Sequence, residues 1–175
     1  MRLIAIVSGT IAAAVLLSPP ARAQTPLDAV ARGDRHSYVG FGIMPIAEYG
    51  ALTLKAGRVL GDHLLVGVEG GGMYGVTDAS TSLNAYADAV VTWFPFRRWG
   101  LYLKGGIGYG TSKNDETDGE SPTKSGLEVR YGGGWERSLN WHFSGRPANW
   151  GVEVTVSPTS VAAGGLFMLV TFNVY

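Results

Sequence analysis

Cysteine is absent from this sequence, so no disulfide staples it, no lipid anchor can be carried on a cysteine, and thiolate metal sites are excluded. Charge is scarce: 14 basic and 14 acidic residues make up 16% of the chain and cancel, which gives nucleic-acid binding no electrostatic support. Beyond the N-terminal segment, no apolar run approaches the roughly 20 residues of a membrane-spanning helix. Long helices of any kind conflict with 26 glycines, because each glycine costs about 1 kcal/mol relative to alanine inside a helix.

The N-terminal segment has the layout of an export signal. Arg2 is followed by an apolar stretch from Leu3 to Leu17, then by Ser18, Pro19 and Pro20, and then by Ala21-Arg22-Ala23, the small residues a signal peptidase accepts. The division expected is a cleaved signal peptide at 1–23, an N-terminal periplasmic arm at 24–35 and a barrel at 36–175. Cleavage before Gln24 removes Arg2 and Arg22 from the 14 basic residues, leaving 12 against 14 acidic ones and a net charge of −2.

In place of helices the chain has two-residue alternation, repeated in about eight segments that end in turn residues. The first, near Tyr38 to Met44, sets Val39, Phe41 and Ile43 against Tyr38, Gly40, Gly42 and Met44. The second sets Leu52, Leu54 and Ala56 against Thr53, Lys55 and Gly57; Arg58 breaks the pattern, either as a headgroup-zone residue at the strand end or because a bulge shifts the register. In the third, Leu64, Val66, Val68 and Tyr74 oppose His63, Glu69 and Met73. In the fourth, Leu83, Ala85, Ala87, Ala89, Val91 and Trp93 oppose Ser82, Asn84, Tyr86, Asp88 and Thr92. The fifth sets Leu101, Leu103, Ile107 and Tyr109 against Tyr102, Lys104 and three glycines, and residues Thr111 to Lys124 then read as the longest loop. Leu127, Val129, Tyr131 and Trp135 oppose Glu128, Arg130 and Glu136 in the sixth; Trp150, Val152, Val154 and Val156 oppose Glu153, Thr155 and Ser157 in the seventh. The stretch from Arg137 to Asn149 is long for a turn, and its alternation can carry the sixth strand past a bilayer. The last segment, Gly164 to Tyr175, is apolar at Leu166, Met168, Val170, Phe172 and Val174.

Alternation alone does not say which face is outward. The polar faces carry isolated charges, Lys55, Glu69, Asp88, Lys104, Glu128, Arg130 and Glu153, among glycines, serines and threonines, whereas a water-facing surface is about one quarter to one third charged. The expectation is therefore an all-β, eight-stranded antiparallel up-and-down transmembrane β-barrel with its polar face turned to the lumen. Trp93, Trp99, Trp135 and Trp150 fall at the ends of apolar faces beside turns, as an aromatic girdle at one membrane interface does.

On the export signal, the eight segments, the short turns alternating with longer loops and the closing run Thr171-Phe172-Asn173-Val174-Tyr175, the chain resembles, over roughly residues 36 to 175, the small outer-membrane β-barrel family of OmpA- and OmpX-like proteins. The resemblance implies integral placement in the outer membrane of a Gram-negative cell envelope, contact with outer-membrane lipid and lipopolysaccharide, and insertion by the barrel-assembly machinery. Phe172 and the terminal aromatic Tyr175 then form the assembly signal, with Asn173 standing where the family has a hydrophobic residue. A monomer is expected.

A narrow lumen forces opposite charges to pair or be hydrated, so Lys104 beside Asp88, and Arg130 near Glu128 or Glu153, are expected to plug it. A narrow porin-like channel through the same network is the first alternative. His142-Phe143-Ser144 resembles the His-x-Ser pair of outer-membrane lipid A deacylases, which makes a lipid-modifying hydrolase the second. In those enzymes the pair lies on the outer-leaflet side, whereas here it follows the sixth strand in a periplasmic position, and no oriented base for a nucleophile is indicated. His36 and His63 read as strand-start residues near the periplasmic rim. The acidic stretch from Asn114 to Glu120 lacks the spacing of a calcium loop and reads as a solvated loop. The function expected is structural or surface-interacting, without catalysis, cofactor or metal.

Overall fold

The computed structural model describes residues 37–46, 49–61, 63–76, 80–96, 99–116, 119–120, 122–158 and 165–175. The expected signal peptide, the arm and His36 lie outside the described residues. The strands are β1 (Ser37–Ile46), β2 (Tyr49–Leu60), β3 (Leu64–Val76), β4 (Ser80–Phe96), β5 (Leu101–Glu116), a two-residue β6 (Gly119–Glu120), β7 (Lys124–Phe143), β8 (Arg146–Ser157) and β9 (Gly165–Val174). Apart from β6, which folds back on the end of β5, each strand pairs antiparallel with its neighbours in the order β1-β2-β3-β4-β5-β7-β8-β9, and β9 pairs with β1. The sheet closes as an eight-stranded antiparallel β-barrel, which leaves no long edge unpaired around its girth.

The two-residue period fixes the faces. In β4, Leu83, Ala85, Ala87, Ala89, Val91 and Trp93 are all exposed on the outside, while Tyr86, Asp88, Val90, Thr92 and Phe94 are buried within. The same assignment runs round the barrel, so that Leu54, Leu127 and Leu166 are 61%, 63% and 72% exposed. Glycines make room for the large inward side chains. A Cβ at Gly57 or Gly67 would lie 2.7 or 2.8 Å from the ring or hydroxyl of Tyr38, so that ring lies flat on two strands that carry no side chain there.

One expectation about segment ends changes, and two others are resolved. Residues 111–116 are the end of a long β5, paired throughout with β4 and at Thr111 and Ser112 with β7, so the loop expected from Thr111 begins only after Glu116. Here Thr111, Lys113 and Asp115 take the outward positions; a strand wet on both faces shows no hydrophobic alternation, although its ladder continues. Arg58 is exposed and in unbroken register with both neighbours, which favours the strand-end reading over a bulge. The stretch 137–149 is strand almost throughout: β7 and β8 continue past their neighbours and turn at Ser144 and Gly145 with φ of 51° and 73°. Two successive left-handed residues are what a tight hairpin needs to match strand twist.

Gly100, which leads into β5, is held at φ 67°, and a Cβ there would lie 2.0 Å from the Glu136 carbonyl oxygen. Its own carbonyl accepts the Glu136 amide at 3.0 Å. The ladder joining first and last strands is short: it spans only Val39–Ile43 against Val170–Val174, whereas β2 pairs with β3 along its whole length.

Candidate functional site: the closed lumen

All seven charged residues expected inside the barrel are buried there: Lys55, Glu69, Asp88, Lys104, Glu128, Arg130 and Glu153. Strand register decides how they pair. At the middle of the lumen, Lys104 Nζ donates to Glu69 Oε2 at 2.6 Å and to Glu153 Oε1 at 2.5 Å. Lys55 Nζ donates to Glu153 Oε2 at 2.5 Å and lies 3.9 Å from Glu69 Oε2. Tyr102 and Tyr86 complete the acceptors, their hydroxyls donating to Glu153 at 2.8 Å and to Glu69 at 3.2 Å. Two ammonium groups thus alternate with two carboxylates, and this layer is neutral.

The expected Lys104–Asp88 pair does not form, because Lys104 stands opposite Thr92 while Asp88 stands opposite Gly108, four residues further along β4. Arg130 pairs with Glu128 as expected and not with Glu153. Its Nε lies 3.7 Å from Asp88 Oδ2, and its guanidinium carbon sits 3.3 Å from the centre of the Tyr86 ring, a cation–π stack. Thr53 hydrogen-bonds the Tyr86 hydroxyl at 2.7 Å, and Ser157 donates to Glu128 at 3.0 Å. This second layer lies towards the long β5–β7 hairpin.

At the opposite mouth, beside the start of β1 and the end of β9, the lumen changes character. Tyr38, Val59, Leu65, Phe94, Tyr102 and Tyr175 form a buried apolar cluster, with the Phe94 and Tyr102 rings 5.3 Å apart and those of Tyr38 and Tyr175 5.9 Å apart. Within it Glu136 accepts from Asn149 at 3.1 Å, from Asn173 at 3.0 Å, and from the Tyr175 hydroxyl at 2.8 and 2.9 Å. Alternation places Glu136 on an inward face but gives it no role and does not reveal the plug; Phe94, inward between outward Trp93 and exposed Phe96, is the signal in the sequence. Between plug and ion pairs lies a cavity of about 20 Å³ lined by Tyr38, Lys55, Glu69, Lys104, Glu136 and Tyr175 among others, room for about one water molecule.

The two residues expected to form the assembly signal face opposite ways. Phe172 lies on the outer side and stacks on Phe41 at 5.2 Å across the β1–β9 ladder, whereas the Tyr175 ring is buried in the lumen. The four tryptophans expected in a girdle gather at the plugged end: Trp93 and Trp99 are exposed, Trp135 and Trp150 meet edge to face at 5.5 Å, and Phe96 packs on Trp99 at 5.4 Å. His142 and Ser144 are exposed at the tip of the β7–β8 hairpin, and no hydrogen bond joins them. His63 Nδ1 bonds the Phe94 carbonyl at 2.7 Å just before β3, at the rim where a strand-start residue was expected. Lys113 and Asp115 pair at 3.1 Å on the outside of the β5–β7 hairpin. Among the described residues no group of three or more His, Asp or Glu is arranged to hold a metal ion.

No protein-family profile matches the sequence, and no curated protein does. Among solved structures the chain is similar to the crystal structure of the N-terminal β-barrel domain of Pseudomonas aeruginosa OprF, at 14% identity and a TM-score of 0.49, over 79% of this chain and 94% of that one.

Proposed function

We propose that this chain is an integral outer-membrane β-barrel with a structural or surface-contact role in a Gram-negative envelope, its lumen closed and not catalytic. One observation carries the reading: the barrel is apolar outside and charged inside, with Glu128 and Glu153 at 0% and 1% exposure. In water an exterior so continuously apolar is an aggregation site; in hydrocarbon it is the lowest-energy face. Its height agrees. Along β5 the outward positions are apolar or glycine from Leu101 to Tyr109 and polar from Thr111 onward, and nine residues of tilted strand match the roughly 9 to 11 needed to span.

The tryptophans at the plugged end suit the periplasmic interface, and Tyr74 and Tyr109, exposed towards the opposite end, suit the outer one. Lipid and lipopolysaccharide are the contacts this surface fits, with the barrel-assembly machinery as the route of insertion and a monomer as the unit. Lys55 and Lys104, which bind Glu69 and Glu153 across the lumen, favour a plug over an ion path, and among the described residues no hydrogen bond joins Ser144 to a base, which favours a non-catalytic protein. Fractionation followed by electrophoresis with and without heating, combined with planar-bilayer recording, tests the proposal. The expected result is outer-membrane recovery, a compact unheated band and no steady conductance. Soluble periplasmic recovery would refute the membrane reading, and large steady conductance the closed lumen.

A further inference from the structure

Asp88 and Glu128 face each other across a strip of wall that has no side chains. Asp88 stands opposite Gly108, and Gly108 opposite Glu128, so a furrow of inward glycines on β5 separates the two acids. Both side chains are withdrawn from solvent, at 0% exposure each. Neither carboxylate oxygen of Asp88 has a hydrogen-bond partner among the described residues, and neither do Oε2 of Glu128 and Oδ1 of Asn84 further along β4. Asp88 Oδ1 lies 2.5 Å from the place a Cβ of Gly108 would take, and Glu128 Oε2 lies 2.1 Å from that of Gly110. Those positions are two residues apart on one face of a strand, about 7 Å.

The charges nearby do not balance. Three cations, Lys55, Lys104 and Arg130, face four carboxylates, Glu69, Glu153, Asp88 and Glu128, and Arg130 also lies 3.9 Å from Glu69. Its guanidinium is committed to Glu128 and to the face of Tyr86, and at 3.7 Å its Nε is too far from Asp88 for a hydrogen bond. A buried carboxylate without a hydrogen-bond donor is strongly unfavourable, and here the carboxylates outnumber the cations by one.

We propose that the glycine furrow between Asp88 and Glu128 binds one monovalent alkali-metal cation. Oxygen ligands suit a hard cation, and an excess of one negative charge matches a single positive one. The neighbouring guanidinium raises the cost of a divalent ion. Asp88 contacts the ion directly, and Glu128 completes the shell from the other side of the furrow.

The test compares thermal unfolding of the purified folded protein in detergent micelles, in sodium chloride and in N-methyl-D-glucamine chloride at equal ionic strength, with rubidium-soaked crystals of the unmodified protein. The expected result is a higher Tm in sodium, loss of that difference in Asp88→Asn, a smaller difference in Glu128→Gln, and an anomalous rubidium peak between the two carboxylates. Equal Tm in both salts, or a sodium effect that survives in Asp88→Asn, overturns the proposal. If neither variant folds, the rubidium soak decides: a furrow without the peak overturns it. A carboxylic-acid C=O infrared band that vanishes in Asp88→Asn, without any sodium effect, would put a proton where the cation is proposed.

Discussion

Replacing Lys104 by leucine removes the ammonium that both central carboxylates share. Its Nζ lies 2.6 Å from Glu69 and 2.5 Å from Glu153, and all three side chains are almost completely buried. Removing one partner of a buried ion pair costs about 3 to 5 kcal/mol, because the remaining charge stays in a place that solvates it poorly. Lys55 still lies 2.5 Å from Glu153 but 3.9 Å from Glu69, so Glu69 bears most of the loss and the cost falls near the lower end, about 3 kcal/mol. Urea titrations of the protein folded into phospholipid vesicles, followed by tryptophan fluorescence and by heat-modifiable migration, measure it. Adding Glu69→Gln to Lys104→Leu should recover part of the loss, because the two act as a unit. Adding Asp88→Asn should recover much less. A Lys104→Leu variant within about 0.5 kcal/mol of the parent, the range of an ordinary surface substitution, would refute the argument; so would recovery with Asp88→Asn and not with Glu69→Gln.

Ala87 faces outward midway along β4, and placing lysine there should cost roughly 2 to 4 kcal/mol if that face meets hydrocarbon; the same vesicle titration reads it, and a change near zero would contradict the membrane placement. Tyr175→Phe removes the hydroxyl that donates to both oxygens of Glu136 while keeping the ring, and should cost about 1 to 3 kcal/mol as a buried charged acceptor loses a donor. Unchanged stability in that variant would show that the two asparagines satisfy Glu136 without it.

The faces of the barrel were legible because a strand has only two, and a residue's parity assigns it. Partners across the lumen were not, since they join strands that are not neighbours: Lys104 on β5 reaches Glu69 on β3 and Glu153 on β8, over the strands between. Adjacency of β4 and β5 points to Asp88 as the partner of Lys104, but their register, which alternation does not carry, offsets the two by four residues. The plug was hidden for a different reason. The polar alternation suggests a polar inward face along the full height, yet at the mouth Val59, Leu65 and Phe94 turn inward and pack with Tyr38, Tyr102 and Tyr175. Tyr175 could have been placed from parity alone: it shares odd positions with Leu169, Thr171 and Asn173, all inward, and cannot lie beside Phe172 on the outer face. Where strands rise into water on both sides, as at 111–116, alternation of apolar residues ceases to mark them.

The short ladder between Val39–Ile43 and Val170–Val174 makes the barrel's weakest joint a property of its surroundings. Parting β1 from β9 breaks fewer backbone hydrogen bonds than parting any fully paired neighbours, and in water or weak detergent the freed amides and carbonyls would be rehydrated at once. In a bilayer the same groups would open into hydrocarbon, each costing several kcal/mol, and the Phe41–Phe172 stack that lies over the ladder would be pulled apart with them. The closure would therefore unzip first when the lipid is removed and last while it remains, so that lifetime in the folded state would be set less by the strength of this joint than by the solvent waiting on its other side.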